Sequence, residues 1–373
     1  MIDTMGIIMT GLEDDALLGE LTMHRPVAAL PVCGSYRLID FILSNMVNSG
    51  ISRVGVTTHS NYRSLMDHLG SGKEWDLNRK KDGLSILPPY ITGMQQAVNN
   101  GTLHVLNGIM DFLYNSSQRY VVLAGSNLLF NTTFYELHEA HIKSGADVTI
   151  LYHRPFGAGA YPPKHVSLIT DENGRVTDIE SGYAGMSSGK LSMGVYFMEK
   201  SFLEYQIRRC LARGQSDFVM DVLIRNLSIL KIHAVPFNGY VGRVDSVSSF
   251  FRENHALLDP NICRELFNSK HPIYTKVKDQ VPTIYGSNAK VKNSLVADGC
   301  FIDGTVENSV LFRGARVEEG ATVTNSILNQ NSYIQTNVTL DYVVLDKNVV
   351  VRYGKRLMGQ ESHPVVVAKG MVV

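Results

Sequence analysis

The stretch Tyr120-Val121-Val122-Leu123-Ala124-Gly125-Ser126-Asn127 decides the fold class of the first two thirds of this chain. An apolar run without a polar interruption, closed by Gly-Ser-Asn, reads as a strand buried on both faces and ending in a turn. Similar runs lie at residues 5–10, 52–58 and 147–152. Helical periodicity fills the gaps. Residues 36–49 put Leu38, Phe41, Ile42, Leu43 and Met46 on one apolar face, and Gly50 stops the helix. Residues 62–69 and 134–144 read as further helices. This alternation predicts an α/β domain over residues 1–255: a mostly parallel, doubly wound, Rossmann-like sheet with helices on both faces. Ligands of such sheets sit beyond the C-terminal strand ends. Ser126 and the residues after Met9 occupy such ends, so position alone makes them candidates for a ligand site.

Of the 373 residues, 44% are hydrophobic, enough for two packed domains and too many for a disordered chain. The 35 basic and 35 acidic residues balance, which argues against a general nucleic-acid binder but leaves room for a local basic pocket. Cys33, Cys210, Cys263 and Cys300 are widely spaced, with no Cys-x-x-Cys, and are expected to be reduced packing thiols. The histidines show no zinc spacing. No apolar run reaches the ~18 residues of a membrane span. No basic stretch followed by an apolar core marks a secretory signal. A cytoplasmic protein that engages neither membrane nor nucleic acid is expected. Trp75 and the Lys80-Lys81 pair are expected on a loop after Gly72, as a lid or an interface.

Composition changes after Pro282. A Gly or Asn, two residues and an aliphatic side chain recur at Gly299/Ile302, Gly314/Val317, Gly320/Val323, Asn331/Ile334, Asn337/Leu340 and Asn348/Val351. A second unit interleaves: Asn293-Ser294-Leu295, Asn308-Ser309-Val310 and Asn325-Ser326-Ile327. Short repeats with inward aliphatics and turn-forming Gly or Asn predict a parallel β-helix, and the hexapeptide spacing favours the left-handed form. This places a left-handed β-helix at residues 286–373, after a proline-bearing linker at 256–285.

Two stretches carry a family resemblance. The first runs Leu30-Pro31-Val32-Cys33-Gly34-Ser35-Tyr36-Arg37-Leu38-Ile39-Asp40-Phe41 and continues to Ile51. The second opens the repeat region with Asn293-Ser294-Leu295-Val296-Ala297-Asp298-Gly299-Cys300. Both resemble ADP-glucose pyrophosphorylase, the glucose-1-phosphate adenylyltransferase of glycogen and starch synthesis. The order of elements matches over essentially the whole chain. The resemblance implies a sheet domain for ATP and glucose 1-phosphate, and a β-helix domain for tetramers and allosteric control.

The departures fall where that family does its chemistry. Its two cation-holding Asp positions correspond to Ser126 and Arg243. Its glycine-rich, Arg-bearing phosphate loop reads Thr10-Gly11-Leu12-Glu13-Asp14-Asp15 here, with one early glycine, no basic residue and three carboxylates. Carboxylates repel a triphosphate. The family's Lys-Arg-Ala-Lys-Pro-Ala is His24-Arg25-Pro26-Val27-Ala28-Ala29, and its Gly-Thr-Ala-Asp-Ala is Gly101-Thr102-Leu103-His104-Val105. A family Lys that grips the sugar phosphate has no counterpart near Glu180. Gly11, Gly101, Thr102, Ser192, Met193, Gly194 and Asp221 remain as the outline of a substrate pocket. Arg25, Arg37, Lys347 and Lys369 match positions that bind anionic effectors in related subunits.

Nucleotidyl transfer depends on positioning and on charge neutralisation by a divalent cation. With the cation ligands, the loop and the Lys all lost, the rate should fall by roughly four or more orders of magnitude. The resemblance therefore implies a regulatory subunit that is itself inactive, needs no cofactor and leaves magnesium to its partner. That partner is a homologous catalytic subunit in a heterotetramer, with self-association left open; a small anionic effector or sugar phosphate completes the set. Alternatives stay open: an active nucleotidyltransferase with metal ligands rewired to Asp14, Asp15 or Asp221, or a stand-alone sugar-phosphate sensor. Arg243 has two readings, a cation mimic holding a phosphate or a guanidinium paired with Asp245. An acyltransferase built on the β-helix would need a histidine at the coil, and beyond His271 there is only His363.

Overall fold

The computed structural model describes residues 3–10, 15–58, 61–88, 101–154, 164–183 and 189–373. The predicted strands form at Thr4–Met9, Arg53–Thr57, Tyr120–Gly125 and Val148–His153. Pleating sorts their side chains between two cores. Met5, Ile7 and Met9 pack with Leu103, Leu106 and Val222 on one face, while Ile8 packs with Ile39, Ile42 and Met46 on the other. The helix expected from residue 36 begins at Leu38 and runs to Asn48. Tyr36–Arg37 instead pairs with Pro31–Val32, and the Arg37 N–H donates to Asp40 Oδ2 at 2.9 Å, closing the first turn. Trp75, expected on a surface loop, is 1% exposed and packs edge-on against His68.

The described residues form a nine-stranded sheet. Its order runs Val176–Tyr183, Lys164–Thr170, Leu191–Glu199, Tyr120–Gly125, Thr4–Met9, Arg53–Thr57 and Gly83–Leu87, with Val148–His153 joining Leu191–Glu199 to Ile232–Phe237. From Tyr120–Gly125 to Gly83–Leu87 neighbouring strands are parallel. Leu191–Glu199 runs antiparallel to both Tyr120–Gly125 and Val148–His153, which makes the sheet mixed. The chain builds outward from Thr4–Met9 to one side, then crosses back to place Tyr120–Gly125 on the other. The crevice between the ends of these two strands, at Thr10 and Ser126, is therefore the topological switch point.

The repeat region is a left-handed β-helix with three five-stranded parallel sheets as its walls. Its Gly/Asn alternation has one backbone cause. Gly299, Gly314, Gly320, Asn331, Asn337 and Asn348 all have positive φ, a conformation that glycine and asparagine adopt most cheaply. The asparagines of the Asn-Ser unit share that positive φ, and the unit's side chains add hydrogen bonds between rungs. Asn293 Nδ2 donates to Asn308 Oδ1 at 2.7 Å, and the hydroxyls of Ser294, Ser309 and Ser326 accept from the backbone N–H of Ser309, Ser326 and Val343 in turn. Ile302, Val317, Ile334 and Val351 point inward as the spacing predicts, with Leu311, Leu328 and Leu345 as another interior row. Val310 and Ile327, expected inward, point out of the coil and pack with Val344 against the sheet domain.

That outward row joins Leu30, Val32, Leu38, Phe41, Phe250 and Phe251 in a third core at the junction. Residues 256–285, expected as a linker, carry the helix Pro260–Leu266, whose Leu266 sits in this core. Ile284–Tyr285 already pairs with Phe301–Ile302 as part of the coil. Gly34 turns at φ 73°, and a Cβ there would meet Leu295 at 2.6 Å. At the edge of the junction the Arg25 guanidinium forms an ion pair with Asp346 of the coil, the two side chains 3% and 0% exposed. Removing one partner of such a pair leaves an uncompensated buried charge. Asp346→Ala should therefore cost about 3–5 kcal/mol of stability, and the double variant Arg25→Met/Asp346→Leu should cost less. Chemical denaturation of the three proteins checks both; equal loss in single and double variants would show that the pair itself is not what matters.

Candidate functional site

Two places in the fold gather the side chains singled out above. The first is the crest of the sheet. Ser126 follows the central strand and is 1% exposed. Two residues on, Leu128 pairs in register with Arg243, and the Val244 N–H donates to Asn127 O at 2.9 Å. Positions more than a hundred residues apart in sequence are thus brought together. Arg243 donates from Nη2 to the Ser192 carbonyl at 3.2 Å, and Ser192 Oγ accepts from the Gly194 N–H at 3.1 Å. Burial, and then the Arg243 charge, lowers His153 to about 4. Burial raises Tyr196 to about 12, with Asp217 acting the same way and the Ser192 hydrogen bond and Arg243 opposing it. Arg243, His153, Ser192 and Tyr196 therefore share one electrostatic neighbourhood. Asp245, the other proposed partner of Arg243, accepts from Ser249 Oγ at 3.0 Å.

The remaining pocket residues have structural tasks. Met193 is a core side chain. A Cβ on Gly101 would meet the Ser216 carbonyl at 2.4 Å, and the Leu103 N–H, one residue beyond Thr102, donates to that same carbonyl. Asp221 Oδ2 accepts from the backbone N–H of Ser216 and Asp217, each at 2.9 Å, while Oδ1 pairs with Arg225 at 3.0 Å. This carboxylate is committed to holding a turn. Gly11, Glu13 and Asp14 lie outside the described residues, and Asp15 is described in its backbone only.

The second place is a cleft of ≈ 510 Å³ where the two domains meet. Arg37, Arg63, Lys276, Lys278, Lys347 and Lys369 line it, together with His24 and His68; Asp67 is its one carboxylate among the described lining residues. Arg37 is anchored by Nη1 to the Ser64 carbonyl at 2.6 Å and hydroxyl at 3.0 Å. Burial lowers Arg37 to about 10, Arg25 adding to the shift and Asp40 opposing it. Burial, followed by the charges of Arg37, Arg25 and Lys278, pushes the Lys347 ammonium down to about 7. Lys278 is lowered by burial and then by Arg37, Arg313 and Lys276. Cations that depress one another in this way would each be favoured by a nearby negative charge. Of the four expected effector residues, Arg37, Lys347 and Lys369 line the cleft. Arg25 does not; it is consumed by Asp346, one residue from Lys347.

Residues 6–256 match the nucleotidyl transferase family, and residues 280–363 match the GlmU-like C-terminal hexapeptide family. The chain belongs to the nucleotidyl transferase family. It is 36% identical over 356 residues to the glycogen biosynthesis protein GlgD of Bacillus subtilis (strain 168), covering 95% of this chain and 93% of that one. It is 39% identical over 304 residues to GlgD of Geobacillus stearothermophilus, covering 82% and 78%. The glucose-1-phosphate adenylyltransferase of Thermosipho africanus (strain TCF52B) is 31% identical over 327 residues, covering 86% and 78%.

The divalent cation implied for a nucleotidyl transferase needs acidic oxygens. The residues here do not fit it. Ser126 is neutral, Arg243 carries the wrong sign, and Asp221 is already engaged. No group of three or more His, Cys, Asp or Glu suited to a metal occurs among the described residues. No helix among them is long and apolar enough to cross a membrane.

Sequence reading missed Arg63, Lys276 and Lys278 as members of the cleft. For two of them a signal existed: Lys276-Val277-Lys278 is an extended alternation that puts both lysines on one side, with Val277 72% exposed on the other. The position of Lys347 gives a pH test. The ammonium is charged below about 7 and neutral above it, so an anion entering the cleft binds more tightly as the pH falls through that value. Sulfate, which does not titrate there, should bind up to about tenfold more tightly at pH 6 than at pH 8.5. Lys347→Met should remove most of the difference; thermal-shift titration at constant ionic strength measures it, and an unchanged difference would assign the dependence to the histidines.

Proposed function

We propose that this chain is a regulatory, catalytically silent subunit of glucose-1-phosphate adenylyltransferase in glycogen biosynthesis. It pairs with a catalytic homologue and tunes it through an anionic effector held in the junction cleft. The names of the relatives support the pathway: two are glycogen biosynthesis proteins and one is the adenylyltransferase itself. The observation that supports the silent reading is that Ser126 ends the central strand at the switch point while Arg243 pairs with Leu128 two residues on. A serine hydroxyl and a guanidinium cannot seat a divalent cation, and without one the charge on the reacting phosphates goes unneutralised. The reading with rewired metal ligands loses Asp221, whose oxygens are engaged by two backbone N–H groups and Arg225.

The cleft supplies the regulatory half of the proposal. Its cations come from both domains, Arg37 from one and Lys347 and Lys369 from the other. An anion between them changes the energy of the domain contact, and a site that biases a domain contact can bias a neighbouring subunit.

The test is pyrophosphate release from ATP and glucose 1-phosphate by the chain alone, by its catalytic partner alone and by the two together. The chain alone should run roughly four or more orders of magnitude below an active homologue. The mixture should exceed the partner's own rate or respond differently to anionic effectors. Magnesium-dependent release by the chain alone, or a mixture indistinguishable from the partner in rate and effector response, would overturn the proposal.

A further inference from the structure

We propose that Lys347 is a covalent modification site, its amine taking a short acyl group from an acyl phosphate and losing its charge in doing so. Lys347 stands where two spaces meet. One is the wide cleft lined by cations of both domains; the other is a recess of ≈ 40 Å³ whose walls include Pro31, Tyr36 and Phe312. A donor with an anionic head and a small uncharged tail matches that division. Its phosphate is drawn to the cations, and the recess admits only a short acyl group. The Lys347 amine is also uncommitted. Among the described residues its Nζ has no hydrogen bond or ion pair, whereas Lys276 donates to the Asp67 carbonyl, and Asp346, next to Lys347 in sequence, pairs with Arg25.

A lysine becomes a nucleophile when it is desolvated or set beside other cations, and Lys347 has both conditions. Burial acts first, then Arg37, Arg25 and Lys278 as like charges, with Asp346 opposing; at about 7, much of the amine is neutral at neutral pH. An ordinary exposed lysine is neutral there in about one part in a thousand. Lys276, Lys369, Arg63, Arg313, Asp67, His24 and His68 complete the charged and titratable lining of the two spaces. In the step, the neutral Nζ attacks the acyl carbon. The C–N bond forms, the C–O bond to the phosphate breaks, inorganic phosphate leaves and the amine proton passes to solvent. Arg37 and Lys278 offset the charge of the leaving phosphate. The product is an uncharged amide, so the cleft loses one cation and holds an anion less tightly.

Acetyl phosphate added to the full, unmutated chain tests this, with acetylation followed residue by residue by peptide mass spectrometry. Near neutral pH, Lys347 should react at least about tenfold faster than Lys80 and Lys355, which are exposed. Its rate should rise through about pH 7 and then level off, while theirs keep climbing. Sulfate, competing for the cations, should slow Lys347 and leave Lys80 and Lys355 unaffected. The acetylated chain should bind sulfate as weakly as Lys347→Met, whereas Lys347→Arg, which keeps the charge, should bind it like the unmodified chain. Reaction at Lys347 no faster than at Lys80 and Lys355, preferential reaction at Lys276 or Lys278, or a rate that sulfate does not change would each overturn the inference. Its failure leaves the silent subunit standing, and pyrophosphate release by the chain alone, which sinks the silent subunit, leaves the acylation site standing.

Discussion

One flank of the coil serves as a wall of the sheet domain. Val310, Ile327 and Val344 stack on successive rungs and face Leu30, Val32, Phe41, Phe250 and Phe251. Close-packed side chains of this kind transmit displacement and do not absorb it. Everything at the junction inherits its geometry from that contact: the turn at Gly34, the buried Arg25–Asp346 pair and the cleft whose cations come from both sides.

The junction separates charges that are neighbours in sequence. Asp346 and Lys347 are adjacent on the coil; the first is buried against Arg25 and the second opens into the cleft. Arg25 is thereby neutralised, while its field still reaches Lys347 and Arg37. The outcome is a pocket of mutually repelling cations beside a compensated pair. The repulsion is tolerated because apolar packing holds the domains together, and an anion would relieve it.

The crest of the sheet tells a complementary story. Strand order, the pairing of Leu128 with Arg243 and the Ser192–Gly194 turn assemble a crevice at the position where an open α/β sheet meets its ligand. Two side chains change what that crevice can hold. A carboxylate pair would gather a divalent cation, whereas a serine and a guanidinium favour an anion.

Much of this was legible in the chain itself. Apolar runs bounded by turns announced the central strands, and the Gly/Asn spacing announced the coil, because period-two pleating and left-handed turns each impose a pattern on consecutive residues. Ser126 and Arg243 could be singled out from a family resemblance, and three of the four residues named as effector contacts line the junction cleft. Other features depended on contacts that no local pattern encodes. Trp75 became core in the cluster that holds Leu65, Leu69 and Leu77, with His68 edge-on against it. Val310 and Ile327 turned outward because a second hydrophobic surface was waiting for them. Arg25 left the cleft because Asp346, more than three hundred residues away, claimed its charge. A sequence dictates which side chains prefer burial or an opposite charge; only the folded chain decides which partner reaches them first, since that is a matter of distance in space and not along the backbone.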